Sequence, residues 1–181
     1  VWENVVGTAQ ADTIKGNTSA NRIWGAGGAD IIDGGAHDDL LDGGPGNDRL
    51  LGGAGNDVLL GGEGDDELRD SNGRNLLTGG LGADNLRGSS GDDILVGGRT
   101  AHDRHEAALR AIVAEWASRL PLAVRVEQLQ AGTGLNQPYA LSPDDPALDD
   151  GVPDELWGGS GSDWFLPWDL DSCQDRGARD R

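Results

Sequence analysis

The chain has 181 residues, a formal net charge of −18, 31 glycines and only 4% aromatic residues. So acidic a surface, without a basic stripe, excludes nucleic acid and makes cations the natural partners. No apolar run reaches the roughly 18 residues of a membrane span. Without something to neutralise the acids, this composition sits near that of disordered chains. There is no Met and a single Cys, Cys173, so no internal disulfide can form. The chain is expected to be part of a longer protein, with more polypeptide upstream.

The organisation emerges by counting in nines from Gly7. Position 1 is Gly throughout residues 7–96 except at Asp70. Position 6 reads Asp12, Asn21, Asp30, Asp39, Asp48, Asp57, Asp66, Asn75, Asp84 and Asp93. Position 8 reads Ile14, Ile23, Ile32, Leu41, Leu50, Leu59, Leu68, Leu77, Leu86 and Leu95, with no polar interruption. A solvated Gly/Asp linker has no reason to hold Leu or Ile at one phase.

This pattern is the nonapeptide GGxGxDxUx, and residues 7–96 resemble the RTX (haemolysin-type) calcium-binding repeats. The resemblance implies a mostly β protein, a right-handed parallel β-roll with two repeats per coil. Each repeat gives a six-residue turn and a three-residue strand. Several Ca2+ ions would sit between turns stacked one coil apart, held by position-6 carboxylates and turn carbonyls. Elementary electrostatics agrees. Strands stack about 4.8 Å apart, and carboxylates at that spacing repel by roughly 3 kcal/mol per pair at an effective dielectric near 20. Calcium–oxygen distances of about 2.3–2.6 Å fit such a gap. Glycine lets the turn take positive φ and aim its carbonyls inward, and the position-8 residue fills the space between the sheets. A core this thin, under stacked acids, is expected to need calcium to fold.

The candidate ligands are Asp12, Asp30, Asp39, Asp48, Asp57, Asp66, Asp84 and Asp93, with the turn glycines Gly44, Gly46, Gly53, Gly55, Gly62, Gly64, Gly80 and Gly82. The best cages are Asp30–Asp48, Asp48–Asp66 and Asp66–Asp84 on one side and Asp39–Asp57 on the other. The turn "DSNGRN" (70–75) departs from the pattern, so sites there are weak. "GTAQAD" and "GNTSAN" look like a degenerate first coil. Asp38, Asp65 and Asp92, at position 5, are expected to face solvent. His37 replaces a turn glycine and weakens its turn.

Residues 1–98 therefore form the roll, and a helical insertion follows over 99–148. Leu109, Ile112, Val113, Trp116 and Leu120 fall at helical spacing, with Asp103 and Glu106 as a capping box. A second helix over 121–130 aligns Leu122, Val126 and Leu129, and 131–148 reads as loop. Over 149–166 the register resumes, placing Asp154 and Asp163 at position 6 as further ligands, stacked on Asp84 and Asp93. Residues 97–166 resemble the C-terminal end of large bacterial proteins of the RTX type. Residues 167–181 read as a mobile tail.

On the outside of one predicted sheet, positions 7 and 9 carry seven apolar residues of ten, against two of ten on the other. Such a patch calls for a cover. The spacing predicts that Leu109, Ile112, Val113 and Trp116 supply it; the competing cover is a partner domain or self-association with a second copy. His102, His105 and Glu106 invite a zinc reading, but their order is not HExxH and a polar helix start accounts for them. Trp157, Trp164 and Trp168 could stack on sugars; burial as an end cap is the favoured reading. Taken together, the residues predict a secreted, extracellular calcium-binding module and no enzyme. The rivals are a surface adhesion module and the C-terminal non-catalytic part of a secreted hydrolase or polysaccharide-modifying enzyme.

Overall fold

A computed structural model describes residues 3–141, 150–166 and 171–174. Eleven strands precede the helices: β1 (Glu3–Val6), β2 (Thr13–Lys15), β3 (Asn21–Trp24), β4 (Ile31–Ala36), β5 (Leu40–Pro45), β6 (Arg49–Ala54), β7 (Val58–Glu63), β8 (Glu67–Arg69), β9 (Leu76–Leu81), β10 (Asn85–Arg87) and β11 (Ile94–Val96). Then come α1 (Glu106–Trp116), α2 (Leu122–Ala131), β12 (Glu155–Trp157), β13 (Trp164–Leu166) and β14 (Ser172–Gln174). No helix among the described residues is long and apolar enough to cross a membrane.

Odd-numbered strands β1 to β13 form one seven-stranded sheet and even-numbered strands β2 to β14 the other. Every strand pairing within each sheet is parallel, so the architecture is a parallel β-roll. A period of nine explains this topology. One repeat is too short to return to its own sheet, so each strand pairs with the strand two repeats on: Leu41 lies beside Leu59, and Leu59 beside Leu77. Position 8 then points between the sheets. Ile23, Ile32, Leu41, Leu50, Leu59, Leu68, Leu77, Leu86, Leu95 and Leu156 form one fully buried column. Val5 and Ile14 are only partly buried at the N-terminal end.

The insertion does not break this column. β12 pairs with β10 through Leu86 and Leu156, and β13 with β11 through Leu95 and Phe165. Leu109, Ile112, Val113 and Trp116 of α1 share a buried cluster with Leu40, Val58, Leu60, Leu76, Ile94 and Val96 on the outer face of the odd-strand sheet. Leu129 and Leu141 join it, with Leu122 and Val126 packed against it. The apolar face is thus filled from within the chain. Trp116 is fully buried, and its Nε1 donates to the Asp92 carbonyl at 2.5 Å. Arg125 of α2, also buried, donates to the Trp116 carbonyl and to Asp92 Oδ2, both at 2.7 Å.

Several local expectations are corrected. There is no capping box at Asp103: that carboxylate accepts from the Thr100 N–H at 3.0 Å and from its hydroxyl, and α1 begins at Glu106. The N-cap is His105, whose Nδ1 accepts the Ala108 N–H at 3.1 Å. The helix ends at Trp116 rather than Leu120, which is exposed. Trp157 and Trp164 lie in opposite sheets and form no common end cap. Trp164 instead faces outward, 6.0 Å from Trp116 ring to ring. Trp168 lies outside the described residues, as do 142–149, 167–170 and 175–181 of the predicted loop and tail. Part of that tail is ordered into the roll, because β14 stacks on β12 with Cys173 beside Leu156.

Candidate metal centre

Between strands the chain turns through positions 1 to 6, and the position-6 carboxylate reaches back into the turn. Its first oxygen is committed to the neighbouring coil. Asp66 Oδ1 accepts the Asp48 N–H at 2.7 Å, Asp48 Oδ1 that of Asp30 at 2.8 Å, and Asp30 Oδ1 that of Asp12 at 2.7 Å. Asp84 continues this side by accepting from Asp66 at 2.8 Å. On the other side Asp39 accepts from Asn21 and Asp57 from Asp39, both at 2.7 Å, and Asp93 from Asn75 at 2.9 Å. The ladder crosses the insertion: Asp154 accepts from Asp84 and Asp163 from Asp93, both at 2.8 Å.

The second oxygen is different. Oδ2 of Asp30, Asp39, Asp48, Asp66 and Asp84 is buried and accepts no hydrogen bond. It faces another oxygen. The point where Gly61 would carry a Cβ lies 2.4 Å from both Asp66 Oδ2 and the carbonyl oxygen of Gly79, one coil on. The two oxygens are therefore no more than about 5 Å apart. The same cradle recurs at Gly25 (2.3 Å to Asp30 Oδ2, 2.6 Å to Gly43 O), Gly43 (2.3 Å to Asp48 Oδ2, 2.7 Å to Gly61 O) and Gly79 (2.3 Å to Asp84 Oδ2, 2.4 Å to Gly97 O). At Gly34 it is formed by Asp39 Oδ2 at 2.5 Å and Gly52 O at 2.8 Å. Only a residue without a side chain keeps this space open.

Burial without a compensating charge raises these acids. Asp48 is pushed up to about 6, Asp66 to about 7 and Asp84 to about 8, chiefly by desolvation and further by the neighbouring carboxylates, against the lowering effect of the backbone N–H. A dry carboxylate oxygen beside a carbonyl oxygen is the hard donor set that calcium prefers. No three His, Cys, Asp or Glu side chains converge on one point among the described residues. An ion held here must therefore draw on backbone carbonyls as well.

Comparison with known families decides which cation. The family model for the RTX calcium-binding nonapeptide repeat (4 copies) matches residues 6–41, 33–68 and 70–100. The chain belongs to this RTX family. Its repeats bind Ca2+, and repeats in this number mean several ions. No curated protein and no solved structure matches the chain.

Within the RTX roll the turns are not equivalent. Gly44, Gly46, Gly53, Gly55, Gly62, Gly64, Gly80 and Gly82 all have positive φ. Ala26 and His37 take the same backbone conformation at φ 81° and 71°, a strained choice for residues with side chains. In Asp12 and Asp93 the second oxygen is already satisfied, by the N–H of Thr8 at 2.6 Å and of Ser89 at 2.9 Å. Where Asn replaces Asp, the amide occupies the cradle. Asn21 Nδ2 donates to Gly34 O at 3.2 Å and Asp39 Oδ1 at 3.1 Å; Asn75 Nδ2 donates to Asp70 Oδ2 and, at 3.0 Å, to Asp93 Oδ1. Those two levels are closed by hydrogen bonds in place of an ion.

Position 5 also has an unforeseen use. Asp38 accepts the Asn56 N–H at 2.8 Å, Asp65 the Ala83 N–H at 3.0 Å and Asp92 the Ser162 N–H at 3.0 Å. These acids, expected to face solvent, form an outer ladder, and Asp92 also anchors the insertion through Arg74 and Arg125. Two inner carboxylates escaped the sequence reading. Asp171 stands one residue out of register; its Oδ1 accepts the Asp154 N–H at 3.1 Å, and its Oδ2 lies 2.7 Å from the Gly97 Cβ point. The other is Asp70, whose Oδ1 lies 2.4 Å from the Gly52 Cβ point. The suspected zinc trio is engaged elsewhere: His102 Nε2 meets the Ala140 carbonyl at 2.7 Å, His105 caps α1, and Glu106 pairs with Arg22 and Arg110.

Proposed function

We propose that this RTX roll is the calcium-dependent folding module of a longer secreted protein. It stays unfolded where calcium is scarce, folds in the calcium-rich extracellular space, and there stabilises or presents the polypeptide joined to it. One observation carries this reading. Five carboxylate oxygens, on Asp30, Asp39, Asp48, Asp66 and Asp84, are buried without a hydrogen bond, each facing a carbonyl oxygen. Burying a charge unpaired is costly, and the column between the sheets is one side chain deep.

Bound calcium would supply the positive charge that this arrangement lacks. Asp30, Asp39, Asp48, Asp57, Asp66 and Asp84 hold the ions together with turn carbonyls, while the Oδ1 rungs fix each carboxylate beside its ion. Asp12, Asp93, Asp154 and Asp163 extend the ladders toward the ends. The abundant acids are thereby accounted for as cage and ladder, and we assign no catalytic role to them. Far-UV circular dichroism in chelator and then in millimolar calcium tests the proposal. The β signal is expected only with calcium, and a complete β signal in chelator would overturn it.

A further inference from the structure

The turn beginning at Asp70 breaks the repeat at both of its defining positions: Asp replaces the position-1 Gly and Asn75 replaces the position-6 Asp. Sequence alone makes this the least promising level of the roll. The geometry points to the reverse: we propose that Asp70 is a calcium ligand, forming with Asp57 a two-carboxylate site in place of the regular pairing of one carboxylate with one carbonyl. This deepens the calcium-binding reading above and rests on it.

In the regular cradles, the Cβ point of a position-1 glycine meets one carboxylate oxygen and one carbonyl oxygen. At Gly52 it meets two carboxylate oxygens, Asp70 Oδ1 at 2.4 Å and Asp57 Oδ2 at 2.8 Å. A side chain has thus been put where the neighbouring turns offer only a peptide carbonyl. Asp57 is fully buried, and its Oδ2 accepts no hydrogen bond. Its Oδ1 is spent on the Asp39 N–H at 2.7 Å. Asp70 is held from both sides: Oδ1 accepts the Gly53 N–H at 2.9 Å, and Oδ2 accepts the Asn75 amide.

This also explains Asn75. A third carboxylate at that position would face Asp70 and Asp93 together. Its amide instead donates to both, keeping them apart, while its Oδ1 accepts the Asp57 N–H at 2.8 Å and so completes the ladder. The two substitutions compensate each other. The carboxylate lost at position 6 reappears at position 1, one level back, opposite Asp57. Two carboxylates match the charge of one divalent ion, and charge count among the ligands is a principal determinant of calcium affinity.

The experiment counts ions by equilibrium dialysis against radioactive calcium, for the wild-type chain, Asp70→Asn and Asp70→Gly. Asp70→Asn keeps the shape and the acceptor for Gly53. Asp70→Gly restores the residue of the other repeats and carries the test should Asp70→Asn not fold, as judged by circular dichroism at saturating calcium. Each variant is expected to bind one ion fewer than wild type, or to weaken one binding step at least tenfold, with the remaining steps unchanged. A full ion count with every binding step unchanged in the folded variant overturns the role of Asp70. Absence of calcium binding by the wild type would overturn the calcium reading itself, which keeps the two failures distinct.

Discussion

Gly62→Ala should be among the most damaging small substitutions in the roll. Gly62 has φ +118°, and an added Cβ would sit 2.1 Å from the Gly44 carbonyl oxygen and 2.8 Å from its carbon. The obstacle is backbone, and Gly44 and Gly62 are partners in the β5–β7 register, so neither can withdraw without unzipping a coil. Holding alanine in that conformation costs about 1–3 kcal/mol. Overpacking adds roughly as much again. Gly27 is the control: it carries no positive φ, and its nearest neighbour to an added Cβ is the Pro45 carbonyl oxygen at 3.6 Å. Its counterparts at position 3 include Pro45, Ala54, Glu63 and Leu81, so the site accepts side chains. Gly27→Ala should be neutral, or gain up to about 1 kcal/mol by restricting the unfolded chain. At about 2–4 °C per kcal/mol for a chain of this size, calcium-saturated thermal melts should separate the two variants by at least about 5 °C. If Gly62→Ala melts with wild type, or Gly27→Ala falls as far, the argument from turn geometry is wrong.

The carboxylates set a pH dependence. Burial places Asp48, Asp57, Asp66, Asp84 and Asp93 at about 6 to 8 in the folded chain against an ordinary 3.8. The native state therefore holds the extra protons, and stability in chelator should fall as pH rises from about 4 to 8, while calcium affinity rises over the same interval. Far-UV circular dichroism in chelator at pH 5 and 8 checks the first half: any residual β signal should be larger at pH 5, and an equal or greater signal at pH 8 contradicts it. Asn75→Asp should raise the calcium concentration needed for folding, because it replaces a donor to Asp70 and Asp93 with a third carboxylate; a lowered midpoint in a calcium titration followed by circular dichroism counts against this. Trp116→Ala should cost about 3–5 kcal/mol, since the ring is fully buried and lies under the Arg125 guanidinium, 4.5 Å from its centroid; a loss below about 1 kcal/mol in urea unfolding of the calcium-loaded chain would refute its role in docking.

What was legible from the sequence was whatever the period controls. An apolar position 8 in every repeat can only mean a stacked column, and parallel pairing follows from repeats too short to turn back. The outer apolar face could be read as one in need of cover, because positions 7 and 9 differ so much between the two sheets. What the period did not reveal lies where one residue does something the repeat does not specify. Asp70 fills a glycine position, so counting in nines marks it as damage, although its carboxylate turns inward. Asp171 follows Asp154 after 17 residues instead of 18, which hides it from any fixed period. Thr8 and Ser89 look like lost glycines, but their N–H groups satisfy the Asp in their own turns. His105 resembled a metal ligand because its capping bond to Ala108 depends on side-chain direction, which spacing does not carry.

The insertion raises the question of how a one-dimensional stack tolerates an interruption. Asp84 and Asp154 meet across 70 residues where Asp66 and Asp84 meet across 18. Loop closure grows only with the logarithm of length, so the longer connection costs about 1 kcal/mol more. Against this, Leu109, Ile112 and Trp116 are all but fully buried on the odd-strand sheet, each contributing about 1.5–3 kcal/mol. They also remove Leu40, Val58, Leu60, Leu76, Ile94 and Val96 from water. The balance favours the interruption, and it depends on which face receives the helix. The even-strand sheet presents Lys15, Arg49, Glu67, Arg69 and Arg87 outward and would give α1 only Ile31 and Leu51 to bury. Arg125 then ties the helices to Asp92, a residue of the turn just before β11. The insertion is thus fixed beside the level at which it leaves the roll, which keeps the two ends of the interruption close enough for the register to resume.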